Sequence, residues 1–140
     1  AGIPEVGPDF AASAVAMDKS RTKLGADQAG VPQAAWQRVR VSELENHMEN
    51  TLDLLENRFR YPMFVKPAGT GSSVGVSKVG DRDALRSGLR YAGKYAKKIL
   101  VEEFVNGKEI EVAVMGNDNP MASICGEIDS GAEFYDYDAK

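Results

Sequence analysis

At 140 residues, 43% of them hydrophobic and 27% charged, the chain suits one globular domain or two small subdomains, which excludes wholesale disorder, low-complexity architecture and a multidomain enzyme. Seventeen Lys and Arg against 21 Asp and Glu leave a net charge of −4. There is no basic footprint of a general nucleic-acid binder, so any anionic ligand has to be gripped locally. No run approaches the ~20 apolar residues of a membrane span, no basic-then-apolar leader opens the sequence, and the one cysteine, Cys125, forms neither an internal disulfide nor a cysteine-based zinc cluster. These features predict a soluble protein of a reducing compartment, the cytoplasm, with no nucleic-acid or membrane partner.

Helical and extended segments alternate along the chain, an α+β pattern. Gly2 to Gly7 reads as a loop and Phe10 to Ala16 as an Ala-rich helix. Asp18 is placed to cap a helix that Gly30 stops, with Pro32 just beyond. Trp36 reads as a packing residue. Ser42 with Glu45 predicts a capping box, after which Leu44, Met48, Leu52 and Leu55 recur at helical spacing. His47, on that helix, has no second His or Cys at ligand spacing and reads as a surface or boundary residue. Met63 to Val65 and Val74 to Val79 predict two strands joined by Gly69-Thr70-Gly71-Ser72-Ser73. Leu85, Leu89, Ala92 and Ala96 mark a further helix, closed by a solvated end at Lys94, Lys97 and Lys98. Ile99 to Val105, Ile110 to Met115 and Ala122 to Ile128, separated by turns at Asn106-Gly107 and Asn117 to Pro120, predict an antiparallel meander, with Cys125 as a buried core thiol.

Two segments carry chemistry. Around Gly69 to Gly75, glycines allow successive backbone N–H groups to face one concavity, Ser72 and Ser73 add hydroxyl donors, and Lys66 stands on the incoming strand within reach of a phosphate. The spacing is neither a Walker A motif nor a Rossmann fingerprint, and a plain Gly-Ser hairpin with an exposed lysine stays open as the alternative. In Leu100 to Glu111, strand alternation puts Glu102 and Glu103 on opposite faces, so both cannot be solvent decoration of one half-buried surface. A carboxylate there can accept from an adenine amine while strand backbone groups meet the ring edge. Glu109, past the Asn-Gly turn, could reach ribose hydroxyls. An acidic edge strand that guards against aggregation is the competing reading.

Taken together, Met17-Asp18-Lys19, Val65-Lys66-Pro67 leading into Gly71-Ser72-Ser73-Val74-Gly75, Glu102-Glu103-Phe104-Val105-Asn106-Gly107-Lys108-Glu109, and Phe134-Tyr135-Asp136-Tyr137-Asp138-Ala139-Lys140 resemble consecutive landmarks of the D-alanine–D-alanine ligases, ATP-grasp enzymes of bacterial cell-wall synthesis. The resemblance covers nearly the whole chain in the family's order. It implies an α+β ATP-grasp fold, with a tail of a preceding domain over 1–17, the central lid subdomain over 18–100, and the first strands of the C-terminal subdomain over 101–140.

The same resemblance implies roles. Lys19 and Lys66 would bind phosphates, and Ser72 and Ser73 would sit in the lid loop, with Ser72 also orienting substrate in a catalytic role. Glu102 would take the adenine amine, backbone groups of Glu103 and Val105 would meet the ring, and Glu109 would hold the ribose. Phe134 and Lys140 would begin a loop closing over ATP and substrate. In such enzymes ATP phosphorylates one D-alanine and the amine of a second attacks the acyl phosphate, with magnesium bridging the phosphates; the parent enzyme is expected to be a homodimer. The magnesium ligands and an N-terminal domain of the family pattern do not fall within this sequence, so an excised fragment without ligase activity of its own is expected. Glu133, Asp136 and Asp138 are read as loop residues and not as a metal site. The rival assignments are another ATP-grasp carboxylate–amine ligase, a D-Ala-D-Ser or D-Ala-D-Lac ligase variant, and a non-catalytic nucleotide-sensing module.

Overall fold

The computed structural model describes residues 6–128. The expectations at Phe134, Lys140 and the acids Glu133, Asp136 and Asp138 lie outside these residues. The chain divides into two compact units between Phe104 and Val105.

In the first unit, α1 (Phe10–Ala16) and α2 (Lys19–Gln28) precede β1 (Trp36–Arg40), α3 (Val41–Arg58), β2 (Met63–Pro67), β3 (Ser77–Val79), α4 (Arg82–Gly93) and β4 (Lys98–Glu103). The strands form one antiparallel sheet in the order β1-β4-β2-β3. Asp9, Asp18 and Asp81 cap the three helices they precede, each accepting from backbone N–H groups of the first turn that would otherwise lack partners. Gly30, in the left-handed region at φ 70°, follows α2 as expected. The helix α3 starts earlier than the expected Ser42 box. Arg40 takes the cap position and donates its N–H to Glu43 at 2.9 Å, because the chain leaves β1 directly into the helix and Glu43, not Glu45, stands three residues on. Its backbone departs from helical geometry at His47, which is exposed.

Strand alternation gives the sheet two faces. Val39, Met63, Val65, Val79, Ile99 and Val101 pack with Leu44, Leu52 and Leu55 of α3 and Leu85, Leu89 and Ala92 of α4 in one core. Each fully buried Leu contributes about 1.5 to 3 kcal/mol. A Cβ on Gly88 would lie 3.0 Å from Val79 Cγ1, so the absence of a side chain there is what lets α4 sit this close to the sheet. On the surface, Arg82 bonds Glu49, Asp53 and Glu56, and Arg86 bonds Glu49, tying α3 to α4. The opposite face presents Phe64 and Lys66 from β2 and Leu100 and Glu102 from β4, and α2 meets this face.

One strand adds to the expected elements, and two further expectations are corrected. The segment at Trp36 is a strand, with only Val39 buried among Gln37, Arg38 and Arg40, a pattern too polar to read as one. The meander does not form: β4 lies in the sheet between β1 and β2. Lys98 opens β4 instead of closing a helix, since α4 ends at Gly93.

In the second unit, β5 (Glu109–Glu111) pairs with β8 (Gly126–Ile128), and β6 (Val114–Met115) with β7 (Met121–Ala122), all antiparallel. The two arms of this hairpin are interrupted where Ala113 N–H donates to Ser123 Oγ at 3.0 Å. Cys125 is exposed, not a core thiol, because the paired arms β5 to β8 bury none of their residues among the described residues.

Candidate functional site

The polar face of the first sheet gathers a carboxylate and several ammonium groups. Glu102 on β4 stands opposite Phe64 of β2, so Lys66, two residues further along β2, lies diagonally beside it on the same face. Lys66 Nζ donates to Glu102 Oε2 at 2.6 Å, and Lys23 Nζ of α2 lies 3.2 Å from Oε1. Both carboxylate oxygens are therefore engaged by cations, with the Glu102 side chain 9% exposed. Burial alone would push the Glu102 carboxyl up, but Lys66 and Lys23 outweigh it and hold it below its ordinary value of 4.5, so it is ionised at neutral pH.

Lys19, the first residue of α2, is fixed from both ends. Its backbone N–H donates to Ala68 O at 2.9 Å, and its ammonium donates to Thr70 O in the glycine-rich loop. Burial, and then the nearby Lys66 charge, push the Lys19 ammonium below its usual range. Glu102 and Asp18 offset part of this, and a further anion at the cluster would relieve the rest. The cap beneath Lys19 is itself anchored. Asp18 accepts from Ser20 Oγ at 2.6 Å and pairs with Lys98 at the start of β4. Burial raises the Asp18 carboxyl, but the bonds from Lys98 and Ser20 prevail and hold it at about 2.

The loop following β2 turns back through three left-handed residues, Ser72 at φ 49°, Ser73 at φ 58° and Gly75 at φ 78°. Thr70 Oγ1 donates to Val74 O at 2.9 Å, closing the loop on itself. Only a glycine fits at 75, since a Cβ would come within 2.6 Å of Pro67 and 2.7 Å of Tyr95. Ser72 is exposed at the tip, and Ser73 is half-buried.

Among the expected site residues, the structure brings Lys19, Lys66 and Glu102 together, with Ser72 and Ser73 in the loop that Lys19 touches. Glu103 faces away. Its carboxylate accepts from Ala35 N–H at 2.7 Å and its own N–H donates to Ala35 O at 3.0 Å, extending the β1–β4 ladder. Val105 and Glu109 belong to the second unit, where Glu109 opens β5. Lys23 was not among the expected residues. The available signal was its spacing, because four residues after Lys19 on a helix is the same face.

An ammonium cluster beside a glycine-rich loop can hold a polyanion, and an ionised carboxylate among them can accept from an amine donor. Among the described residues no group of three His, Cys, Asp or Glu side chains could hold a metal ion, and no helix is long and apolar enough to cross a membrane. A hollow of about 550 Å³ lies elsewhere, between β1 and α3. The charged cluster is the better guide to a phosphate ligand, which is held by cations and not by enclosed volume.

Residues 26–140 match the family described as D-ala D-ala ligase C-terminus. The chain is 51% identical over 140 residues to the D-alanine–D-alanine ligase of Acetivibrio thermocellus, covering all of this chain and 37% of that protein. It is 50% identical over 139 residues to the corresponding ligase of Chlorobium limicola, covering 99% and 38%. Among solved structures, the VanG D-Ala:D-Ser ligase of Enterococcus faecalis superposes with a TM-score of 0.82 at 33% identity, over 97% of this chain and 38% of that one. The D-alanine–D-alanine ligase of Coxiella burnetii gives 0.74 at 32%, over 83% and 34%. The chain thus spans somewhat more than a third of the length of these relatives, and its fold is theirs, the α+β ATP-grasp fold.

Proposed function

We propose, because this chain belongs to the D-alanine–D-alanine ligase family, that it supplies the ATP-binding part of a ligase that joins two D-alanines at the expense of ATP. The observation that carries the reading is the convergence of Lys23 and Lys66 on one buried carboxylate, with Lys19 held nearby by its bond to Thr70 O of the Gly69–Gly75 loop. In this reading Lys19 and Lys66 neutralise phosphate oxygens and the loop closes over them, so that water is kept from the reacting phosphate. Ser72, at the loop tip, orients the substrate side. Glu102 accepts from the adenine amine, backbone groups of Glu103 and Val105 meet the ring edge, and Glu109 holds the ribose.

The ligase reading brings with it a place in peptidoglycan synthesis, a cytoplasmic setting and a homodimeric parent enzyme. Magnesium, which phosphoryl transfer on ATP uses to neutralise charge, finds no fitting donor set among the described residues, and no step here is routed through it. The D-Ala:D-Ser ligase among the structural relatives supports a second reading, in which D-serine replaces the second D-alanine.

Calorimetric titration of the full chain with ATP tests the nucleotide site. Binding that weakens about tenfold or more in Lys66→Met, at one lost charge-assisted bond, is expected. Binding that Lys19→Met and Lys66→Met both leave unchanged contradicts it. Phosphate release by the parent enzyme with D-alanine against D-serine separates the two substrate readings.

A further inference from the structure

We infer that Lys23 is a positioning residue that holds Glu102 Oε1, so that Oε2 alone is offered to the nucleobase and the site selects a purine bearing an exocyclic amine over one bearing a keto oxygen. The inference rests on the nucleotide reading above.

Its basis is the unequal footing of the two lysines that share Glu102. Lys66 approaches Oε2 from a neighbouring strand with its side chain 29% exposed, and it lies close enough to Lys19 for the two charges to repel. It is therefore the cation that an arriving phosphate draws away. Lys23 approaches Oε1 from α2 with its side chain 16% exposed. The helix is braced at that point by Gln33, whose amide donates to Lys23 O at 2.9 Å and to Asp27 at 2.5 Å.

Once Lys66 turns to phosphate, Glu102 would be a buried carboxylate with no cation in contact unless Lys23 remained, Lys19 acting on it only through space. A carboxylate so abandoned takes up a proton. A protonated Glu102 presents an O–H donor, which suits a keto oxygen and not an amine. By staying, Lys23 keeps Glu102 ionised, fixes the carboxylate plane and leaves one oxygen vacant as an acceptor. Lys23 itself need not touch the nucleotide, which separates its role from that of Lys19 and Lys66.

Two measurements on the full chain decide this. The first follows the Glu102 side-chain carboxyl by carbon NMR during acid titration, without nucleotide. In Lys66→Met the carboxyl is expected to stay below its ordinary value, and in the Lys66→Met, Lys23→Met double variant to rise clearly from there, because burial is then opposed by the Lys19 charge without any cation in contact. A double variant that titrates like Lys66→Met overturns the inference. The second compares ATP with inosine triphosphate. Lys23→Met is expected to lose about tenfold in ATP affinity while inosine triphosphate changes much less, and Lys23→Arg to restore the preference. Equal weakening of both nucleotides overturns the inference and makes Lys23 a plain phosphate ligand or scaffold residue. Failure of the wild-type chain to bind ATP counts against the nucleotide reading itself, and the carboxyl titration still decides whether Lys23 governs Glu102.

Discussion

Replacing Glu102 by Gln removes the carboxylate that Lys66 and Lys23 share while keeping its shape. At an effective dielectric constant of about 20, charges 2.6 and 3.2 Å apart attract by roughly 6 and 5 kcal/mol, but desolvation of all three groups cancels most of this. Breaking a buried pair from one side costs about 3 to 5 kcal/mol when the remaining charge is trapped. Here Lys66 is 29% exposed and can turn to water, Lys23 at 16% can do so less, and the Gln oxygen still accepts one bond. The net loss is therefore about 2 kcal/mol, or about 10 °C in melting temperature for a unit of this size. Thermal and urea unfolding of wild type and Glu102→Gln at neutral pH measure it. The pH dependence supplies an internal control. Since Lys66 and Lys23 hold the folded-state carboxyl below its ordinary 4.5, its stabilisation is complete above that value and is lost as pH falls through the lower, folded one. The gap between the two proteins should thus close in strong acid. The same variant should bind inorganic tripolyphosphate more tightly than wild type, since no carboxylate competes for the ammonium groups. Equal stability at neutral pH, or a gap undiminished in acid, refutes the reasoning.

Gly75→Ala forces a Cβ into Pro67 and Tyr95 at a positive φ and should cost about 2 to 3 kcal/mol in urea unfolding, whereas Gly25→Ala, with open space around it inside α2, should gain about 0.5 to 1 kcal/mol. Asp18→Asn loses the Lys98 pair and weakens the α2 cap, for about 1 to 2 kcal/mol at neutral pH after allowance for solvent screening. Because the Asp18 carboxyl drops from 3.8 to about 2 on folding, that difference should be full above pH 3.8 and disappear as pH falls towards 2. Leu89→Ala, fully buried between α4 and the sheet, should cost about 2 to 5 kcal/mol by thermal unfolding.

Much of this fold was legible because local chemistry and tertiary packing agree. Asp18 and Gly30 mark α2 by its own end requirements, and Leu44, Leu52 and Leu55 mark α3 by the face it buries. The strand β1 was not legible, since its pairing with β4 needs backbone groups and one valine, not an apolar alternation. The same long-range pairing hid the fate of β4, which a chain-order reading joins to the following hairpin although its partners are β1 and β2. Within the site, Lys66 and Glu102 were legible separately as a cation and an acid on strands, and their contact followed only once β2 and β4 became neighbours. Lys23 is not legible, because a lysine on a helix reads as solvated until the element it packs against is known.

The central claim is that Lys19 and Lys66 form one anion site beside Glu102, with Lys23 holding the carboxylate. Nitrogen NMR of the lysine side-chain ammonium groups during ATP titration tests it most directly. The resonances of Lys19 and Lys66 should move together and saturate at one ATP, with Lys23 responding through Glu102, while those of Lys94, Lys97 and Lys108 stay in place. Uniform small shifts across all lysines, or movement confined to Lys94, Lys97 and Lys108, would contradict it.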